Sequence, residues 1–339
     1  MKNGKIAIAL IGAGRAGMIH ARNYRKGVQN AEIVAVADPI KEAAENAVNE
    51  LGLNNYTTNY QELLHDSSID AVVIATPTKY HCKIVMDASA AGKHILCEKP
   101  MAMTVEECER MENAAKNGRV KLQLAFMRRF DPSFQAAKRA IQEGTIGDVV
   151  MVRSNTRGPS VPKPWMYDIS KSNGPLAEVN SHDIDTVRWF TESEFRTVHA
   201  IAGNYRCLDA KKDFPDYYDN VIMISEMANG SQGMIDGAQG VRYGYDARVE
   251  ILGTNGCIYL GRQNENNMVI VTADKCRKSE YVNSWMYLFK DAYYEEDCAF
   301  VRCILEDRMP DVTGHDGKMA VKVVNAGNQS IRENRIIIL

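Results

Sequence analysis

Long apolar runs are missing from this sequence: no stretch of its 339 residues approaches the roughly 20 apolar residues that span a bilayer. The opening Met-Lys-Asn-Gly-Lys leads directly into a short strand-like run, without the longer apolar stretch and small-residue cleavage site of a secretory signal. No Cys-x-x-Cys occurs among the eight cysteines (82, 97, 108, 207, 257, 276, 298 and 303), so neither a structural zinc site nor a thioredoxin-like motif is indicated. Free thiols in a reducing cytoplasm are expected. A dominant charge sign is lacking as well. The net charge is −2 and no Lys/Arg block is long enough to act as a nucleic-acid arm. These absences point away from nucleic acid and membrane partners and toward a small ligand, neutral or weakly charged. Internal repeats and low-complexity tracts are also absent.

Hydrophobic residues make up 45% and charged residues 25%, an ordinary globular balance, and the length calls for two domains rather than one small core. Short apolar runs first alternate with helix-like stretches, the signature of βαβ units and a parallel sheet. Strands are expected at Ile6–Ile11, Ile33–Ala37, Ala71–Ala75, His94–Cys97 and Lys121–Ala125. Helices are expected at Arg15–Lys26, Lys41–Leu51, Tyr60–Leu64, His81–Ala91 and Val105–Lys116, the last ended by Gly118. Beyond residue 125 the rhythm changes. Phe134–Gln142 reads as helix, Val149–Asn155 as extended chain, and Gly158 to Trp165 as a proline-rich loop. A strongly patterned helix covers about Ser181 to Phe190, and a succession of extended runs from Val198 to Leu260 indicates a mostly antiparallel sheet. Tyr287–Leu305 and Lys318–Ile331 read as closing helices and Arg335–Leu339 as a last strand. The expected architecture is a doubly wound α/β Rossmann domain over residues 1–125 followed by an α+β domain over 126–339.

Gly12-Ala13-Gly14-Arg15-Ala16-Gly17 is a G-x-G-x-x-G that directly follows a strand and opens a helix, and Asp38 closes the second strand about twenty residues later. Gly12 supplies a tight turn, Gly14 lets backbone approach a pyrophosphate, and Gly17 lets helix and strand pack closely. The helix N-terminus offers free N–H groups to phosphates. Asp38 accepts hydrogen bonds from a ribose diol and repels a 2′-phosphate, which favours NAD; Lys41 nearby leaves NADP open.

Ala75-Thr76-Pro77-Thr78-Lys79-Tyr80-His81 follows the Ala71–Ala75 strand, and Cys97-Glu98-Lys99-Pro100-Met101 follows the His94–Cys97 strand. With the glycine loop, these segments resemble the Gfo/Idh/MocA oxidoreductases, and Glu98-Lys99-Pro100 is the most specific mark. Phe126–Asp131, Gly174–Asp185 and Tyr243–Glu250 also look like family segments; the last, with His315–Met319, is most similar to the inositol 2-dehydrogenase branch. The resemblance implies a cofactor set of Gly12, Gly14, Arg15, Ala16 and Gly17 with Asp38, Thr76, Pro77, His81, Glu98 and Lys99. It implies that Lys99 holds the substrate oxygen, that His182 transfers the proton, and that Arg129 and Tyr243 line a sugar pocket. It also implies a homo-oligomer, a tetramer. Two departures stand beside the histidine: Glu178 where the family usually has aspartate, and Ser172-Asn173-Gly174 where it usually has Gly-Gly.

The residues carry the chemistry on their own account. Oxidising a secondary alcohol requires a proton acceptor for the hydroxyl while hydride leaves, and a neutral imidazole suits that task. A lysine ammonium at the same oxygen stabilises developing alkoxide, and so replaces a Lewis acid; no metal is expected. If the helix holding His182 begins before Ser181, Glu178 and His182 share a face, and Glu178 joins Lys99 and His182 in the catalytic set. Glu178 then either orients the imidazole or accepts from a neighbouring substrate hydroxyl. The expected activity is NAD-dependent oxidation of a ring secondary alcohol of a cyclitol or sugar. The alternatives are a glycoside dehydrogenase forming a 3-keto sugar, which Glu178 and the altered loop favour, and a non-catalytic NAD-binding regulatory protein, against which the retention of Lys99 and His182 argues. The other histidines (His20, His65, His94, His199 and His315) read as structural or surface residues.

Overall fold

The computed structural model describes residues 4–339. Its elements in the first part of the chain are β1 (Ile6–Ile11), α1 (Arg15–Lys26), β2 (Ala31–Ala37), α2 (Lys41–Leu51), β3 (Tyr56–Thr57), α3 (Tyr60–His65), β4 (Ala71–Ile74), α4 (His81–Ala90), β5 (His94–Glu98), α5 (Val105–Gly118) and β6 (Leu122–Ala125). The six strands form one parallel sheet in the order β3-β2-β1-β4-β5-β6. The order reverses between β1 and β4, and ligands of open α/β sheets bind outside the carboxyl ends of strands at such a reversal. β1 and β4 are buried along their whole length, as uniformly apolar strands covered on both faces must be.

Two expectations are corrected here. The edge strand β3 was not foreseen, because two residues, one exposed and one half-buried, carry no periodicity. Helix α5 extends past Lys116 to Gly118 as its last residue, and the left-handed cap after it is Arg119 rather than the glycine. Gly118 serves packing instead: a Cβ there would lie 2.4 Å from the Ser89 carbonyl oxygen of α4.

The second part holds α6 (Pro132–Gln142), β7 (Val149–Gly158), α7 (Ile169–Ser172), α8 (Gly174–Glu178), α9 (Ser181–Thr191), β8 (Phe195–Gly203), β9 (Asn220–Met227), β10 (Gln232–Gln239), β11 (Asp246–Gly253), β12 (Cys257–Leu260), β13 (Ile270–Val271), β14 (Arg277–Lys278), α10 (Trp285–Leu288), α11 (Lys290–Leu305), α12 (Gly314–Glu333) and β15 (Ile337–Ile338). Seven of these strands make a sheet ordered β12-β11-β7-β10-β9-β8-β15, antiparallel except at the β7–β10 pair. Helices α8 and α9 pack on its central strands. The other face leaves Ile201, Ile222 and Ile224 exposed, and the strand register sets Ile201 opposite Ile222 and Ile224 opposite Met234.

The chain packs as two compact units, but not by a single cut at 125/126. Asp291–Val321 belongs with the residues up to Asp131, and Pro132–Lys290 with Lys322–Leu339. The reason is apolar: Phe300, Val301 and Cys303 of α11 share a core with Ile6, Ile8 and Leu10 of β1. No helix among the described residues is long and apolar enough to cross a membrane.

The return of α11 also brings acid into that core. Glu296 is fully buried, and neither carboxyl oxygen meets a hydrogen-bond partner among the described residues. Burial pushes its pKa well above the ordinary glutamate range; His20 opposes the shift, while Glu98 and Asp297 add to it. The folded state therefore keeps a proton that the unfolded state gives up, and stability falls as pH rises above the ordinary glutamate pKa, by up to about 1.4 kcal/mol per pH unit. Glu296→Gln needs no proton. Its melting temperature should exceed that of the wild type by a margin that widens from pH 5 to pH 8; a margin constant with pH would show that Glu296 folds ionised.

Candidate functional site

In the first unit the glycine turn is built by crowding. Gly12 has φ +101°, and a Cβ on it would lie 2.6 Å from the Ala75 carbonyl oxygen at the end of β4. A Cβ on Gly17 would fall 2.1 Å from the Gly12 carbonyl oxygen. Both glycines are thus required by the protein itself. Gly14 is not. Its φ of −74° and ψ of −175° suit any residue, and nothing lies within 4 Å of where its Cβ would stand. A glycine that the fold does not need, at the head of a helix with free N–H groups, fits a site where a pyrophosphate approaches the backbone. Arg15 and Ala16 continue that first turn.

Asp38 closes the same loop. Its Oδ2 accepts from the Ala13 N–H at 2.8 Å and its Oδ1 from the Ile40 N–H at 2.9 Å. Each oxygen keeps a second lone pair, so the carboxylate can hold the glycine loop and still accept from a ribose diol. The Thr76 hydroxyl oxygen is buried and has no hydrogen-bond partner among the described residues.

His81 is buried, and its ring spans the two motif loops. Nε2 lies 2.8 Å from the Thr76 carbonyl oxygen and Nδ1 2.9 Å from that of Pro100. Burial lowers its pKa despite these carbonyls, so the ring is neutral at pH 7 and donates to one loop at a time. It ties the Thr76–Pro77 loop to the Glu98–Pro100 loop from behind. Glu98 is turned inward too: Oε1 faces His20 Nε2 at 3.3 Å and Oε2 accepts from the Lys99 N–H at 3.0 Å. Lys99 itself is half-buried. Arg129 is buried and forms a 3.0 Å ion pair with Asp316, so the family segment Phe126–Asp131 and the inositol-branch segment His315–Met319 touch within this unit.

In the second unit His182 is 6% exposed, in the first turn of α9. Its neighbour Asp183 anchors that turn to the sheet. Asp183 Oδ1 accepts from Ser154 Oγ at 2.5 Å and Thr156 Oγ1 at 3.0 Å on β7, and Oδ2 accepts from Asn180 Nδ2 at 2.8 Å. The expectation that Glu178 and His182 share one helical face is not met. Glu178 ends α8, the N–H groups of Val179 and Asn180 both converge on the Pro175 carbonyl oxygen, and α9 starts afresh at Ser181. At the loop departure two successive residues take positive φ. Asn173 has φ +57° and Gly174 φ +71°, and Asn is among the few residues that tolerate the left-handed region. Tyr243 is 43% exposed; its hydroxyl reaches buried Asp246 at 3.4 Å, and its ring stands edge-on to Tyr281.

Sequence reasoning passed over Asp183, although an acid flanked by His182 and Ile184 on a buried helix carried a signal. It also left His20 among the histidines read as structural or surface residues. The glycine analysis predicts a separation of effects. Gly17→Ala should cost about 1–3 kcal/mol of stability, the usual penalty of overpacking. Gly14→Ala should leave the melting temperature near that of the wild type and instead weaken NADH binding, followed by fluorescence titration. Equal melting losses and equal affinities in the two variants would contradict the assignment.

Comparison with known proteins agrees with this geometry. Residues 6–126 match the model described as an oxidoreductase family with an NAD-binding Rossmann fold, and residues 134–259 match the GFO/IDH/MocA C-terminal domain. An inositol 2-dehydrogenase of Rhizobium meliloti is 34% identical over 98% of both chains. An NAD(+)-dependent scyllo-inositol 2-dehydrogenase of Bacillus subtilis is 32% identical over 97% of this chain and 94% of that one. The crystal structure of a scyllo-inositol dehydrogenase from Lactobacillus casei, with bound NAD(H) and scyllo-inositol, superposes with a TM-score of 0.89 at 28% identity, covering 98% and 99% of the two chains. A parallel sheet with a dinucleotide turn, a second mixed sheet carrying a histidine-bearing helix, and relatives that match across both make this chain a member of the Gfo/Idh/MocA oxidoreductase family.

Proposed function

We propose that the protein oxidises a ring secondary hydroxyl of an inositol-type cyclitol with NAD, in the cytoplasm. The reading rests on the near-full-length similarity to inositol dehydrogenases together with the retention of Lys99 after β5 and His182 on α9. Bound NAD supplies a hydride acceptor at its nicotinamide. The glycine turn with Arg15 and Ala16 holds the pyrophosphate, Asp38 the adenosine ribose, and the loops bearing Thr76 and Pro77 the remainder. His81 fixes the Thr76–Pro77 loop from inside, and Glu98 holds the Lys99 peptide. Lys99 places a positive charge at the reacting oxygen, where it stabilises alkoxide character on oxidation and polarises a ketone in reverse. His182 accepts the hydroxyl proton. Arg129 and Tyr243 contribute to the substrate pocket. All eight cysteines are unpaired, which suits a reducing compartment.

Myo-inositol, scyllo-inositol, free pyranoses and glycosides incubated with NAD, with NADH absorbance as the readout, test the substrate class. The inositols should give the highest kcat/KM, and Lys99→Ala should abolish their turnover while still binding NADH. A preference for glycosides would favour the 3-keto-sugar alternative, and a wild-type rate in Lys99→Ala would overturn the mechanism.

Glu178 closes α8 and His182 lies in the first turn of α9, so helical spacing does not tie the acid to the imidazole, and we assign Glu178 to a substrate hydroxyl beside the reacting carbon. Glu178→Gln should then slow substrates that bear that hydroxyl and spare the matching deoxy analogue. A uniform loss across substrates would return Glu178 to the histidine.

The exposed isoleucines of β8 and β9 support a homo-oligomer, a tetramer, in which a second copy of this chain covers the open sheet face. Light scattering should report an assembly at micromolar concentration, and Ile224→Glu should shift it toward smaller species. A wild-type monomer would rule the interface out.

A further inference from the structure

One buried titratable group takes no part in the chemistry above. His20 on α1 has no solvent exposure, and both of its ring nitrogens face carboxylate oxygens. Nδ1 lies 2.7 Å from Asp297 Oδ1 on α11, and Nε2 lies 3.3 Å from Glu98 Oε1 at the end of β5. Asp297 Oδ2 accepts from Asn23 Nδ2, one turn along α1, at 2.8 Å. Glu98 Oε2 accepts from the backbone N–H of Lys99 at 3.0 Å. Tyr293 sets its ring edge-on to the imidazole with centroids 5.4 Å apart. The contacts form one unbroken chain from α11, through α1, to the peptide that bears the lysine.

Two carboxylates on one ring favour one protonation of this chain. A neutral imidazole has one N–H and can satisfy only one of two carboxylates, which would leave the other facing a lone pair in a dry core. A doubly protonated ring satisfies both. Burial by itself drives His20 toward the neutral form, but the charge and hydrogen bond of Asp297, with those of Glu98, outweigh it and hold the pKa well above the usual histidine range. Of the other titratable groups near these carboxylates, Glu296 on α11 and the Tyr24 phenol on α1 are both pushed by burial toward their neutral forms.

We propose that His20 and Asp297 are positioning residues for the reaction: the Asp297–imidazolium–Glu98 bridge fixes the Glu98 carboxylate, and the carboxylate fixes the Lys99 peptide and so the direction in which the lysine leaves the strand. The inference rests on the reading of Lys99 given above. It explains why a glutamate precedes the lysine at a strand end while both its oxygens point away from solvent. It also gives α11 a task in the reaction from a distance of nearly two hundred residues along the chain.

Asp297→Asn in the full-length protein, assayed with NAD and myo-inositol, is the test. The amide keeps the shape and removes the charge, so the imidazole loses its second proton and Glu98 loses its clamp. The expected result is a roughly ten- to hundredfold fall in kcat, the scale of misplacing a reacting group by about an ångström, with the NADH dissociation constant from fluorescence titration unchanged. Glu98 and Asp297 contact opposite nitrogens of one ring. The losses in kcat of Glu98→Gln and Asp297→Asn should therefore fail to multiply in the double variant, as for residues that act through one network, while a purely structural role would lower the melting temperature and leave kcat of the folded protein unchanged. A soluble Asp297→Asn with wild-type kcat, or losses that multiply, would overturn the proposal. Should Asp297→Asn fail to fold, nitrogen NMR of the wild type decides: a His20 ring doubly protonated at pH 8 supports the bridge, and a neutral ring removes it. Lys99→Ala separates the two layers. If Lys99→Ala is inactive and Asp297→Asn is not, the bridge alone is wrong; if Lys99→Ala keeps the wild-type rate, the reading of Lys99 is wrong and the bridge loses its purpose.

Discussion

The contact on which the cofactor half depends is the approach of α1 to the turn that precedes it. The Gly12 carbonyl and the Gly17 α-carbon are so close that a single added carbon would sit 2.1 Å from the oxygen, and the Ala75 carbonyl presses on Gly12 from β4. That crowding brings the end of β1, the head of α1 and the end of β4 to one point. It fixes where the free N–H groups of the helix aim and where the Ala75–His81 loop departs. The same point is the reversal in strand order, so topology and side-chain volume select one location. Gly14 is the exception that identifies the ligand side, since it is the one glycine of the three that the protein could replace at little cost to its own packing.

A second constraint is the burial of acid. Glu98, Glu296 and Asp297 all lie within a core built from β1 and α11, where an unpaired carboxylate costs several kcal/mol. The protein answers in two ways. Burial pushes Glu296 toward its protonated form, and Asp297 and Glu98 are paired across His20. Hydrophobic residues of the same volume would pack there without such provisions. The expensive arrangement ends on the backbone of Lys99, which is why its purpose is sought in the reaction rather than in stability.

The sequence made the first unit legible because its signals are local. β1, α1 and α2 were bounded by apolar runs, a glycine turn and Gly52, and each appears with the expected limits. What was not legible came from contacts between distant residues. His20 and Asp297 are 277 positions apart, so nothing near His20 distinguished it from a surface histidine. The return of Asp291–Val321 to the first unit follows from shared apolar packing that periodicity alone cannot assign to one core or another. The break between Glu178 and Ser181 is subtler. Those residues all permit a helix, and the chain bends because two N–H groups share the Pro175 carbonyl and Asn180 turns to Asp183.

The central claim is that a carbon-bound hydrogen of an inositol ring moves as hydride to the nicotinamide. Myo-inositol deuterated at every ring carbon, incubated with NAD and the wild-type protein in ordinary water, tests it without assuming which carbon reacts. The account predicts NADH heavier by one deuterium at the nicotinamide C4, with an equal amount of inosose formed. NADH without deuterium, or an inositol that is never consumed, would contradict it.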